Sequence, residues 1–403
     1  MLTVEDAADG TFPGGVFRHS LASMEMIHMI HRTLMRRQHD HWSLTRRESL
    51  KLIAGSVVML GSADKLLADP NAGSGQLQSD PPIHTSHNGF ISPFSTGLGG
   101  TTFTYRTALE PEKNITRRDP SDIISYKGEY YVWYTKVVKS SWSDHNGGYA
   151  GDVWYATSKD GFQFKEQGRA IARGGSGRWD QHGAFTPNIL VWQKRFYLYY
   201  TGVPSPFSRQ TRTAIGMASA DSPAGPWHKC PTNPLLLPQV DHLAAFDSMR
   251  VDDSAFVVRG HDIMLYYKGR CLLDGRAGPA RTHMGVAVAR QPSGPFIKSQ
   301  ANPLVRGHEV LVWPQAHGVG TMVTNMGPRW IYFAPDGLHF KAHNPIIGAP
   351  AAPGIFRTDN FRPNLNAKVP RWGISMGQHD NDIYLLRFDI HYHNPPARRG
   401  KAG

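Results

Sequence analysis

The chain is expected to be all-β, a five-bladed β-propeller that follows an N-terminal export signal and an extended arm. Two repeating units and one missing element point to it. The first unit is a polar strand start before an aromatic hairpin, as in Arg117-Arg118-Asp119-Pro120-Ser121-Asp122 ahead of Tyr130-Tyr131-Val132-Trp133-Tyr134-Thr135. The second is a strand of small and apolar residues ending in a turn and an aromatic, as in Ile215-Gly216-Met217-Ala218-Ser219-Ala220 before Gly225-Pro226-Trp227. One of each makes about four strands, which is one blade, and the repeat interval of roughly 45–70 residues is blade-sized. No helix-length amphipathic segment separates the strands, which argues against a parallel α/β barrel. A β-sandwich is the structural rival, but it does not need the repeat.

Residues 1–68 read as a processing region. Thr45-Arg46-Arg47-Glu48-Ser49-Leu50-Lys51 precedes the apolar run Leu52–Leu60, the pattern of a twin-arginine export signal with Ser49 as a departure from it. The run is too short for an ordinary membrane-spanning helix, and the small residues Gly61, Ser62 and Ala63 suit cleavage. The length of chain before the arginines suggests a translation start at Met26 or Met35. Export implies a periplasmic or secreted protein with no membrane anchor in its mature form. Residues 69–112, rich in Gly, Ser, Pro and Thr, read as an arm with one strand near Thr101–Tyr105. Residues 113–393 form the propeller, and 394–403 a disordered tail.

Within the propeller the polar starts recur near 119, 186, 253, 308 and 362. Phe185-Thr186-Pro187-Asn188 leads to Tyr197–Thr201, and Val251-Asp252-Asp253-Ser254 leads to Leu265–Gly269. Gly307-His308-Glu309 opens a fourth unit, and Arg362-Pro363-Asn364 opens the fifth. Asp160-Gly161, Asp336-Gly337 and the Gly-Pro steps supply the turns.

The net charge of +12 is compatible with an anionic partner, but the basic residues are scattered and no nucleic-acid module is present. Cys230 and Cys271 lack metal-ligand spacing; they either pair in an oxidising compartment or stay as free thiols.

Innermost propeller strands aim their first residues at a central cavity, so Asp119, Asp253 and His308-Glu309 are expected to converge from three blades. Glycosidic hydrolysis needs such a set: one carboxylate to activate water or attack carbon, and a second group to protonate the leaving oxygen. Asp252 and Asp253 are adjacent and should face opposite ways in a strand, so only Asp253 is expected at the axis. Asp122 is expected to act locally. Arg118, Thr186, Asn188 and Trp133 are expected to contact the sugar, although the other tryptophans read as blade core. An oligosaccharide is the partner, and no metal ligands are assigned.

These motifs resemble glycoside hydrolase family 117, the exo-acting α-1,3-neoagarooligosaccharide hydrolases. The likeness runs from about Thr116 to Gly377. It is carried by TRRDPSD (116–122), YYVWYTK (130–136), VWYATSKDG (153–161), FTPNI (185–189), MASADSPAGPW (217–227), LYYKG (265–269), GVAVA (285–289) and GHE (307–309). The resemblance implies a five-bladed propeller that removes a terminal 3,6-anhydro-L-galactose with inversion. It assigns Asp119 as general base, Asp253 as the second carboxylate, His308 as general acid and Glu309 as its acidic neighbour. A flanking carboxylate is expected to raise the pKa of His308. The resemblance also implies a homodimer and a divalent cation, Mg or Zn, near the propeller axis. Val251-Asp252-Asp253-Ser254 departs from the His-Asp-Pro-like run expected there. Two other readings stand beside this one: another five-bladed glycosidase such as an arabinofuranosidase, and a glycan-binding propeller without catalysis.

Overall fold

In the computed structural model the described residues are 100–138, 149–208, 210–324, 329–363, 369–379 and 382–393. The chain divides into Met1–Leu77 and Gln78–Gly403, and every described residue belongs to the second unit. The expected export signal, most of the arm, Asn364 and the expected tail lie outside the described residues. Among the described residues no helix is long and apolar enough to cross a membrane.

The fold is built almost wholly of antiparallel strands in four sheets. The first holds β1 (Thr101–Leu109), β2 (Ile115–Arg118), β3 (Ile124–Tyr126), β4 (Glu129–Val138), β5 (Asp152–Ser158) and β6 (Lys165–Ile171). The second holds β7 (Gly183–Trp192), β8 (Arg195–Val203), β9 (Ala214–Ala220) and β10 (His228–Lys229). The third holds β11 (Arg250–Arg259), β12 (Asp262–Arg270), β13 (His283–Ala289), β14 (Ile297–Lys298) and β15 (Val305–Arg306). The fourth holds β16 (Glu309–Gln315), β17 (Gly318–Thr324), β18 (Trp330–Ala334) and β19 (Lys341–Pro345). Finally β20 (Ala351–Ile355), β21 (Trp372–His379) and β22 (Asp382–Tyr392) join the first sheet, with β22 against β2.

Two expectations are revised here. The strand foreseen in the arm runs the length of β1 and pairs with β22 from Thr101↔Tyr392 onward, so this stretch belongs to the sheet. The last unit opens not at Arg362, which follows a turn, but at β20, which has no polar side chain. Pro353-Gly354 inside that strand reads as turn chemistry, which hides it from a sequence pattern.

Local chemistry explains the rest. Strands β7 and β11 are buried on both faces, so their second halves, Ile189–Trp192 and Ala255–Val258, read as continuous apolar runs rather than alternating ones. Hairpins close on Lys127-Gly128 and Gln193-Lys194, all four with positive φ, as a two-residue turn of primed type requires. Asp160 and Asp336 each use a carboxylate oxygen to accept two backbone N–H groups ahead of them, fixing the turn after β5 and the turn after β18. Edge strands β10 and β14 are only two residues long, which blunts the sheet edge.

The second and third sheets also share an internal repeat that strand patterning does not reveal. Tyr200 donates to Asp180 and Tyr267 to Asp247, and each carboxylate is paired with a lysine, Lys229 or Lys298. The aromatic before each aspartate, Trp179 or Phe246, lies flat on two glycines. A Cβ at Gly202 would fall 2.1 Å from Trp179, and one at Gly269 would fall 2.3 Å from Phe246. Asp247→Ala leaves the buried Tyr267 hydroxyl without an acceptor for its proton and is expected to cost about 2 kcal/mol, read as a lowered urea midpoint with unchanged slope.

The strands that open the sheets pack in series. β7 lies against β4 and β11, β11 against β16, and β16 against β20. Ile123 then bridges to Phe356, and its N–H donates to the carbonyl of Ile355, so the series returns to its beginning.

Candidate active site

Four of these strands carry the same irregularity. Arg118 pairs with Thr135 and Ser121 N donates to the Trp133 carbonyl, leaving Asp119-Pro120 opposite Tyr134 alone. Thr186-Pro187 stands in the same way opposite Tyr200, Asp253-Ser254 opposite Tyr267, and Ala352-Pro353 opposite Ser375. Two residues facing one is a β-bulge, and its first residue is left-handed each time, with φ of 52° at Asp119, 44° at Thr186, 52° at Asp253 and 42° at Ala352. Aspartate tolerates this conformation, whereas a β-branched threonine does so only under strain. Proline fits the second position because a bulged residue needs no ladder N–H. The bulge takes Asp119 and Asp253 out of the pleat at equivalent places in two sheets.

The bulge also corrects the expectation for Asp252. Strand alternation fails there, and both aspartates reach Lys268, whose Nζ lies 2.5 Å from Asp253 Oδ2 and 3.3 Å from Asp252 Oδ1. Arg118 Nε donates to Asp119 Oδ2 at 2.7 Å. Glu309 lies within electrostatic reach of Arg118, Asp253 and Lys268, which ties the fourth sheet to the first and third. Asp119, Asp253, His308 and Glu309 are thereby gathered into one cluster. Burial, with the neighbouring Asp252 and Glu309 carboxylates, pushes Asp253 well above the usual carboxylate range against the pull of Lys268.

His308 behaves opposite to expectation. The Pro279 carbonyl, 3.1 Å from Nδ1, can only accept, so Nδ1 carries the proton and Nε2 is left with its lone pair. Burial and the charge of Lys268, then of Arg118 and Arg270, hold the imidazole well below its ordinary value of 6.5, outweighing the bond to Pro279. The adjacent Glu309 does not prevail against burial and the charges of three cations on other strands.

Three of the four expected sugar contacts are otherwise engaged. Trp133 is 0% exposed and packs edge-on to Trp227 within the core. Asn188 accepts from Asp122 N and donates to the Ser254 carbonyl, tying neighbouring strands together. Thr186 donates its N–H to Thr135 Oγ1 and bonds Thr201 through its hydroxyl. Arg118 does line the cluster, as the end of a stack: its guanidinium lies over Tyr149 at 5.0 Å, Tyr149 stacks on Phe207 at 3.7 Å, and Arg250 lies over Phe207 at 4.4 Å. Sequence reasoning missed Tyr149, Phe207, Arg250, Lys268 and Arg270. A signal existed for Lys268, because Tyr266-Tyr267-Lys268-Gly269 aligns with Tyr199-Tyr200-Thr201-Gly202.

A divalent cation near the axis does not fit these residues. Asp122, expected to act locally, instead ties several strands together at the centre. It accepts from Ile355 N at 3.0 Å and from Arg357 Nη1 at 3.1 Å. Arg357 also donates to the Phe256 carbonyl, pairs bidentately with Asp359 and stacks on Phe361 at 3.7 Å. The chain thus supplies its own buried cation there, and among the described residues no three His, Cys, Asp or Glu side chains gather as a ligand set. Dialysis against EDTA is expected to leave both Tm and turnover unchanged. Cys230 and Cys271 are free thiols.

Comparison with known proteins now bears on the cluster. Residues 109–305 match the family model for the glycosyl hydrolases family 32 N-terminal domain. Among solved structures, the chain is similar to Zg3597, a family 117 glycoside hydrolase produced by the marine bacterium Zobellia galactanivorans. The identity is 29%, over 72% of this chain and 90% of that one, with a TM-score of 0.64. The chain is a glycoside hydrolase of the propeller type. A structure described only as a glycoside hydrolase, 14% identical over 72% of this hydrolase and 92% of its own chain with a TM-score of 0.52, shares the fold. No curated protein matches the hydrolase.

Proposed function

We propose that the hydrolase removes a terminal 3,6-anhydro-L-galactose from agar-derived oligosaccharides, acting from the chain end with inversion. The observation that carries this reading is the placement of Asp119 and Asp253 at the same bulge position of two strands, beside His308 and Glu309. In this reading the first sheet comprises two blades, β20–β22 with β1 and β2–β6, which makes five in all. The twin-arginine pattern favours action in the periplasm or outside the cell, and the family resemblance favours a homodimer.

Asp119, oriented by Arg118, serves as general base and takes a proton from the attacking water. His308 serves as general acid through Nε2, which must first gain a proton because the resting ring carries its one proton on Nδ1. Glu309, its neighbour in sequence, is the carboxylate that favours that protonation. A second reading of the acid rests on one observation: Asp253 itself has a strongly raised proton affinity and can hold the proton directly.

The test is incubation with neoagarobiose, following release of anhydrogalactose by mass and its anomeric configuration by NMR. No release, together with hydrolysis of a nitrophenyl arabinofuranoside, would replace this reading with an arabinofuranosidase. Aryl glycosides with good leaving groups settle the acid. They should restore turnover in whichever of His308→Ala and Asp253→Asn removed it.

A further inference from the structure

We propose that the oligosaccharide this enzyme accepts carries an anionic group, a sulfate ester or a carboxylate, held by Arg250, Lys268 and Arg270 beside the bond that is cut. The inference rests on the reading that Asp119, Asp253 and His308 form a glycosidase centre, and it adds the class of sugar.

Strand register isolates the three cations. Arg250 pairs with Arg270, and Asp252 with Lys268, at the end of β11 and β12 nearest the cluster. The same places in β7 and β8 hold Gly183, Val203 and Thr201. In β2 and β4 they hold Thr116, Val137 and Thr135. Three charges have therefore been placed on one sheet where two equivalent sheets have none. They are not surface lysines held in water: Arg250, Lys268 and Arg270 are 7%, 8% and 6% exposed. A buried cation is retained at a cost unless an anion meets it.

Lys268 and Arg250 are met differently. Lys268 is matched by Asp252 and Asp253. Arg250 donates to the carbonyls of Thr211 and Ser208 and lies over Phe207, and among the described residues it makes no ion pair with a carboxylate. Arg270 donates to the carbonyl of Gly275 in the 3-10 segment Leu272–Arg281. A Cβ at Gly278 in that segment would fall 2.2 Å from Arg270 Nε, so glycine lets the segment close on the guanidinium. The same segment presents Pro279 to His308, which sets Arg270 and the imidazole side by side. The stack from Arg250 through Phe207 and Tyr149 reaches Arg118, so the guanidinium groups border the cluster on two sides. Planar guanidinium forks suit the oxygens of a sulfate or carboxylate. After burial, the positive charge of Lys268, Arg118 and Arg270 depresses the proton affinity of His308. An anion seated there would offset it and let the imidazole carry the second proton.

The test is titration calorimetry at low ionic strength with three matched oligosaccharide sets: neutral, sulfate-ester-bearing and carboxylate-bearing. Wild-type protein is expected to bind one charged set at least ~10-fold more tightly than the neutral set, and which set prevails identifies the anion. In Arg250→Gln that ratio should fall towards one, and Arg250→Lys, the conservative variant, should keep part of it. Equal affinity for all three sets, or a ratio that survives in folded Arg250→Gln, overturns the proposal. Turnover of the same sets judges the parent reading separately. A charge preference in binding without hydrolysis keeps the anion site and rejects the chemistry, whereas hydrolysis with no charge preference does the reverse.

Discussion

Asp119→Asn is expected to lower kcat by about 100- to 10,000-fold, the range for loss of a positioned base, with Tm shifted by no more than a few degrees. The substitution isolates the chemistry. Asparagine is nearly isosteric and its side-chain oxygen still accepts from Arg118 Nε, so the stack of Arg118 on Tyr149 survives. It also tolerates the left-handed backbone, φ 52°, that any β-branched replacement would strain. What it loses is the charge that draws a proton from water. KM should change little, because the bond to Arg118 that shapes the pocket wall remains. A kcat within threefold of wild type, measured with the oligosaccharide that wild type hydrolyses best, would remove Asp119 from the base role. Asp119→Leu should lose stability as well as activity, because it strands the Arg118 guanidinium beside an apolar group.

Much of this site was legible in the chain because polar strand starts and aromatic hairpins obey short-range rules. Asp119-Pro120 and Thr186-Pro187 pair a left-handed residue with one that needs no ladder N–H, so a β-bulge leaves a mark in sequence. Ala352-Pro353 obeys the same backbone rule but carries no polar group, and Arg362-Pro363 was the more visible and wrong choice. Side-chain identity was a poor guide to what faces the cavity. Asn188 has the right residue type and position, yet its side chain is used on Asp122 N and the Ser254 carbonyl, which holds strands together. Trp133 cannot be told from a sugar platform by composition, because the same indole serves a core equally well. The cations were the largest omission. Arg250, Lys268 and Arg270 look like three more scattered basic residues until register sets them against glycine, threonine and valine.

His308→Ala is expected to reduce kcat by a similar factor, about 100-fold or more, and to change the shape of the pH profile. Neighbours in sequence mislead about this residue. Glu309 is adjacent and negative, but the ring is set first by its own burial, then by Lys268 on β12, Arg118 on β2 and Arg270 on β12, all of which disfavour the charged form. Two consequences follow for pH. In stability, the folded protein keeps His308 neutral at pH values where the unfolded chain has begun to protonate it. The contribution is complete above about 6.5 and is lost as pH falls below that towards the lower folded value. His308→Ala should flatten that acid-side loss. In catalysis, kcat/KM reports the free enzyme, so an acid held well below 6.5 places the alkaline limb on the acid side of neutrality. The limb should vanish from the residual activity of His308→Ala. With an anionic substrate kcat reports the complex, where the offset charge should carry its limb to higher pH than kcat/KM shows. A wild-type limb above pH ~7.5 in kcat/KM, unchanged in His308→Ala, would transfer the acid role to Asp253, the other group in the cluster whose proton is held tightly.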